Sequence, residues 1–127
     1  MEAVQPVLTK EDIFAIRTLI NQVQISETLE KYIIELVFAT RKPAEYDLAE
    51  YAQYVHFGVS PRASIALHRA AKAVAFLNER DYVLPEDIKD VATDVLNHRI
   101  LLNYEAEADG IRTQDFIEAI LRKVPIS

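Results

Sequence analysis

The chain contains no cysteine, so it can form neither a disulfide nor a thiolate metal site. Its 127 residues include only two glycines, Gly58 and Gly110. A phosphate-binding loop of the type Gly-x-x-x-x-Gly-Lys-Ser/Thr therefore cannot be built. So few glycines also leave little material for tight turns, which fits a mostly helical fold. No serine sits in a Gly-x-Ser-x-Gly nucleophile elbow. No apolar strand ends in adjacent acids that could hold magnesium. The histidines, His56, His68 and His98, lie far apart in no metal-ligand spacing, so no metal is expected. There is no signal peptide and no apolar run long enough to span a bilayer, so no membrane role and a cytoplasmic location are expected. With 14 basic and 20 acidic residues the net charge is −6, which argues against nucleic acid as a partner. On these absences the chain alone should catalyse nothing.

What is present is ordinary for a globular protein. Half of the chain is hydrophobic (50%) and 27% is charged, enough for a single domain over residues 1–127 with a real core. Met1 to Pro6 show no periodicity and are expected to be a frayed terminus or the scar of a cut from a longer chain. The patterning predicts an all-α fold, a small bundle of about five helices.

The first helix is expected from Lys10 to about Gln22. Thr9 is its cap and Asp12 stands in the capping-box position. Ile13, Ile16, Ile20 and Val23 would form one buried stripe. Ser26 is placed to cap a second helix, Glu27 to about Thr40, with Leu29, Ile33, Leu36 and Val37 inward. Arg41 and Lys42 suit its C-terminal end, and Pro43 stops it. The short link predicts antiparallel packing of these two helices. Ala44 to Phe57 has the weakest pattern and is expected to be a loop with a helical turn near Leu48 to Tyr54. The third long helix, Pro61 to Asn78, is rich in alanine. Ala63, Leu67, Ala70, Val74 and Leu77 share one face. A connector over Asn78 to Leu84, extended at Tyr82-Val83, leads to a fourth helix opened by Pro85. Glu86 and Asp87 suit its dipole, and Ile88, Val91, Ala92, Val95 and Leu96 face inward. A short extended piece follows at Ile100 to Leu102, then an acidic surface loop, Tyr104 to Arg112. Thr113 would cap the last helix, Gln114 to Lys123.

Arg62 is the residue out of place. A cation in the first turn of a helix opposes the helix dipole by a few tenths to about 1 kcal/mol. The penalty vanishes if an anion sits there, attracted by both helix start and guanidinium. The other reading is a solvated arginine paired with a nearby carboxylate. Ser60 is placed to cap this helix, Pro61 to occupy its first position, and Gly58 to give a flexible approach. Beside Arg62, a stripe of Ile65, Arg69, Lys72 and Phe76 mixes cations with large apolar groups. It is either a docking surface or the periphery of the core.

Phe57-Gly58-Val59-Ser60-Pro61-Arg62-Ala63-Ser64 resembles the Gly-Ala-Ser-Pro-Arg-Ala stretch of the MoxR branch of AAA+ ATPases. The likeness continues through Arg80-Asp81-Tyr82-Val83, Pro85-Glu86-Asp87 and Val95-Leu96-Asn97-His98-Arg99. Upstream, Tyr32-Ile33 and Ala39-Thr40-Arg41 also resemble that family. It runs from about Val7 to Val124. Val59 replaces the family's usual alanine, and Glu79 stands where a glycine usually precedes the Arg-Asp pair. The resemblance implies the C-terminal helical lid of an ATPase whose α/β nucleotide-binding core is absent here. It implies that Arg62 is the sensor-2 arginine, acting on the γ-phosphate of ATP held with Mg2+ in that core. Ser60 and Pro61 would lie beside the nucleotide, and Ile65, Arg69, Lys72 and Phe76 would dock on the core. The implied partners are that core, neighbouring subunits in a ring and a von Willebrand A domain protein. The implied activity is ATP hydrolysis coupled to chaperone-like remodelling by the full-length protein. The alternative is a stand-alone helical interaction module that docks an acidic partner on the same stripe and has no nucleotide role.

Overall fold

Helix starts and stops follow local chemistry closely in the computed structural model, which describes residues 9–126. The expectation for Met1 to Pro6 lies outside the described residues. Helix α1 (Lys10–Asn21) opens on a full capping box. The Thr9 hydroxyl accepts the Asp12 N–H at 3.1 Å, and the Asp12 carboxylate accepts the Thr9 N–H at 3.0 Å. Helix α2 (Glu27–Arg41) is capped by Ser26, whose hydroxyl accepts the Leu29 N–H at 3.2 Å. Pro43 ends it and begins a 3-10 turn, Pro43–Tyr46. There follow α3 (Ala49–Ala52), β1 (Val55–Phe57), α4 (Arg62–Leu77), α5 (Pro85–Asn97), β2 (Leu101–Leu102), α6 (Tyr104–Ala108) and α7 (Thr113–Lys123).

The five long helices expected from the pattern all form, α3 is the helical turn expected near Leu48 to Tyr54, and α6 is a short addition. The extended piece after α5 is β2. It pairs antiparallel with β1, Val55 opposite Leu102 and Phe57 opposite Leu101. A second extended contact ties the connector after α4 to the link between α1 and α2. There the Gln24 N–H donates to the Asp81 carbonyl, and the Val83 N–H to the Gln24 carbonyl, both at 2.8 Å.

The core lies where α4 packs on α5, α7 on α5, and α2 on α4 and α7. Ile33 and Leu36 of α2, Leu67 of α4, Ile88 and Leu96 of α5, and Phe116 and Ile120 of α7 are buried there. Along α4 the innermost line is Ala63, Leu67, Ala71 and Ala75. This corrects the face expected from the wheel: Ala70 and Val74 are only partly buried, and Leu77 is 78% exposed. A line of alanines with one leucine lets neighbouring backbones come close, since side chains at a contact set the interaxial distance.

Helix α1 departs further from expectation. None of its residues is buried. Ile13 is exposed, Ile16 and Ile20 are partly buried, and only Val23, beyond the helix, belongs to the core. It leans on α4 instead of forming an antiparallel hairpin with α2, whose apolar face is already covered by α4 and α7. Two capping expectations also change. Half of the acidic loop is helix α6, capped by Asn103, whose side-chain oxygen accepts the Ala106 N–H at 3.1 Å. Thr113 is the first residue of α7 and not its cap. The Asp115 carboxylate reaches back to accept the Arg112 N–H at 3.0 Å. No helix among the described residues is long and apolar enough to cross a membrane.

Candidate functional site

The start of α4 is held by α2. Thr40, in the last turn of α2, is fully buried. Its hydroxyl donates to the Val37 carbonyl at 2.7 Å and accepts the Val59 N–H at 3.1 Å. Gly58 lies so close to α2 that a Cβ there would stand 2.7 Å from the Thr40 carbonyl oxygen and 2.8 Å from the Arg41 Cγ. The glycine is thus required by close approach and not, as the sequence suggests, by flexibility. Val59 is buried against the core.

Ser60 does not cap α4. No side chain does, and Pro61 occupies the cap position with helical dihedrals, φ −57° and ψ −20°. The first turn closes through the backbone. The Ser60 carbonyl accepts the Ala63 N–H at 3.0 Å, and the Pro61 carbonyl accepts the Ser64 N–H at 3.1 Å and its hydroxyl at 2.6 Å. Because Pro61 is already helical, the serine before it sits one position too early for its hydroxyl to cap the turn. The first turn holds no acidic residue. Arg62 follows directly, exposed and outside every ion pair among the described residues. The positive end of the α4 dipole and a guanidinium therefore share one corner.

The stripe beside Arg62 divides in two. Ile65 is 54% exposed and Arg69 is open to solvent. Lys72 donates to the Asn21 carbonyl at the end of α1, at 3.4 Å, and Phe76 packs partly buried against the core. Ile65 and Arg69 border a groove of about 380 Å³ between α2 and α4, with Glu30, Ile33, Ile34 and His68 also lining it. Burial, and then Lys72, push the His68 imidazole below its usual range. Glu30, 3.9 Å away, opposes them. Among the described residues no three His, Cys, Asp or Glu side chains gather into a metal site.

Two further groups escaped sequence reasoning. One is Thr40, whose partner Val59 lies 19 residues away with no local pattern to announce it. The other is Arg80, whose guanidinium meets the Asp87 carboxylate at 2.6 and 2.7 Å. Arg99 donates from Nε to the Val95 carbonyl at 3.1 Å, across the C-terminal turn of α5.

Fold and corner define a mostly helical module in which an exposed arginine, outside every ion pair among the described residues, stands at a helix start. Residues 49–120 match the AAA lid domain family. Over 120 residues the chain is 36% identical to Chaperone MoxR1 of Mycobacterium tuberculosis, covering 94% of this chain and 32% of that protein. It is 38% identical over 128 residues to the uncharacterized protein YeaC of Bacillus subtilis, covering 99% of this chain and 37% of that one. A crystal structure of a "putative ATPase" from Cytophaga hutchinsonii superposes with a TM-score of 0.94 at 65% identity, over 98% of this chain and 38% of that one. The chain belongs to the AAA lid domain family, as a lid of the MoxR-type AAA+ ATPases. It spans about a third of the length of the curated relatives it matches.

Proposed function

We propose that this lid supplies Arg62, as a sensor-2 arginine, to the γ-phosphate of an ATP bound with Mg2+ in a separate α/β core of the full-length protein. The observation that carries this reading is the exposed guanidinium at an uncapped helix start with no acid in the first turn. An anion arriving there meets both the dipole and a charge-assisted donor. Ser60 and Pro61 lie next to that anion, and the exposed end of the stripe, Ile65 and Arg69, meets the core, with Lys72 and Phe76 behind it.

Charge on the triphosphate then determines how lid and core sit together. Loss of the γ-phosphate removes the partner of Arg62 and frees the lid to rotate. That rotation couples hydrolysis to chaperone-like remodelling of partner proteins, in a ring of subunits working with a protein that carries a von Willebrand A domain. Arg62→Ala in the full-length protein is expected to lower ATP turnover by at least about tenfold, as loss of one charged transition-state contact does. Its melting temperature should stay close to wild type, because the side chain is exposed. Wild-type turnover by that variant would remove Arg62 from the mechanism.

A further inference from the structure

We propose that Thr40 is a positioning residue for Arg62. This rests on the reading of Arg62 given above and adds the means by which its backbone is held in place. The Thr40 hydroxyl is fixed from one side by its bond to the Val37 carbonyl at 2.7 Å, which orients its lone pairs. The remaining acceptor capacity takes the Val59 N–H at 3.1 Å. Gly58 brings the strand-to-helix loop within Cβ-excluding distance of the Thr40 carbonyl. Val59 is itself buried, and only Ser60 and Pro61 separate it from Arg62. Pro61 has its φ locked by the ring. On the other side of Arg62, Ala63 is fully buried in the core. Arg62 thus hangs between two buried points, Val59 and Ala63, with its side chain open to solvent.

Such an arrangement suits a group that must meet a phosphate oxygen at hydrogen-bond distance. A misplacement of about 1 Å at a reacting centre can lower turnover on the order of 100-fold. Thr40 touches no nucleotide; it acts by holding the loop against the end of α2. Valine fills the same volume but leaves the Val59 N–H buried without an acceptor. Serine keeps the acceptor and removes only a methyl group.

The test uses the full-length ATPase. Thr40→Val should lower kcat for ATP roughly 10- to 100-fold, with a smaller rise in KM for ATP, because the binding contacts in the core are untouched and only the Arg62 contact is disturbed. Thr40→Ser should restore turnover nearly to wild type. In an Arg62→Ala background Thr40→Val should cost nothing more, since the residue it positions is gone. In the wild-type protein, hydrogen exchange should show the Val59 amide strongly protected, which needs no variant to fold.

Wild-type kcat in Thr40→Val alongside an impaired Arg62→Ala would overturn the role of Thr40 and leave that of Arg62 standing. Equal losses from Thr40→Val with and without Arg62 would also overturn it, as would a fast-exchanging Val59 amide. Full turnover in Arg62→Ala would instead sink the sensor reading itself.

Discussion

Arg80 grips Asp87 through two parallel hydrogen bonds, 2.6 and 2.7 Å long, and so joins the connector after α4 to the first turn of α5. The same carboxylate accepts the Leu84 N–H at 2.8 Å, as the returning half of a capping box. Arg80 also donates to the Tyr82 carbonyl at 3.3 Å. One buried acid thereby satisfies a helix start, orders a loop and neutralises a cation.

The hydrogen bonds from Arg80 hold the Asp87 carboxyl below the usual carboxylate range, against the opposing effect of burial, with the Leu84 N–H assisting. A carboxyl whose folded-state pKa is depressed contributes stability above its unfolded value, roughly pH 4. That contribution is lost as pH falls through the folded value. Asp87→Asn should therefore lower stability at neutral pH by about 2 kcal/mol, leaving a guanidinium without its carboxylate. The variant should also lose part of the steepness of acid unfolding below roughly pH 4. Chemical denaturation across pH measures both, and parallel curves for variant and wild type would contradict the pairing.

Glu79 has φ 60°, the left-handed conformation in which a Cβ is strained. It closes α4 in the pattern of a Schellman motif. Its N–H donates to the Phe76 carbonyl and the Arg80 N–H to the Ala75 carbonyl, both at 2.9 Å. Glycine is the residue this geometry favours. Glu79→Gly is expected to raise stability by about 0.5–1 kcal/mol, the relief of strain being partly offset by a freer unfolded chain. Thermal melting would register it as a rise of a few degrees. A fall would mean that the glutamate side chain makes a contribution larger than the strain.

Tyr32 is 1% exposed, and its hydroxyl has no hydrogen-bond partner among the described residues. Burial pushes its phenol above the usual range, so the ring stays neutral. Removing an unpaired buried hydroxyl leaves the packing intact. Tyr32→Phe should be neutral or stabilising by up to about 1 kcal/mol. Destabilisation well beyond 1 kcal/mol would reveal an internal water bonded to that oxygen.

Helix positions were legible in the sequence because caps and stops act over three or four residues. Thr9, Ser26, Pro43 and Pro85 all mark ends that form as expected. What was not legible depends on a second segment. The stripe of α1 is plain in the pattern, yet periodicity cannot say whether the covering surface lies within the same chain; here Ile13 stays open. Alanine gives little hydropathy contrast, so the wheel could not pick Ala71 and Ala75 over Ala70 and Val74 as innermost on α4. Strand β1 exists only because Leu101 and Leu102 come beside it. At the candidate site, Arg62 stood out because its charge conflicts with a local dipole. Thr40 could not, since nothing near it predicts a bond to Val59.

Gly58 and Gly110 set two kinds of glycine requirement side by side, and substitution separates them. At Gly110, φ is +72° and nothing lies within 4 Å of an added Cβ. Gly110→Ala should cost only the left-handed strain of an alanine, about 1 kcal/mol. At Gly58 no such φ applies; the obstacle is the α2 backbone, with the Arg41 Cα 2.9 Å from an added Cβ. That Cα and the Thr40 carbonyl oxygen at 2.7 Å are backbone atoms, which cannot turn aside as a side chain can, so the loop must move off α2. Gly58→Ala should therefore cost about 2–3 kcal/mol, in the upper range for overpacking. It should also loosen the Val59 amide from Thr40, detectable as faster hydrogen exchange at Val59. Because Arg62 lies on the same short tether, ATP turnover by the full-length protein should fall as well, whereas Gly110→Ala should leave it unchanged. Equal stability losses at the two glycines, with no effect of either on turnover, would mean that the loop can shift on α2 without displacing the arginine.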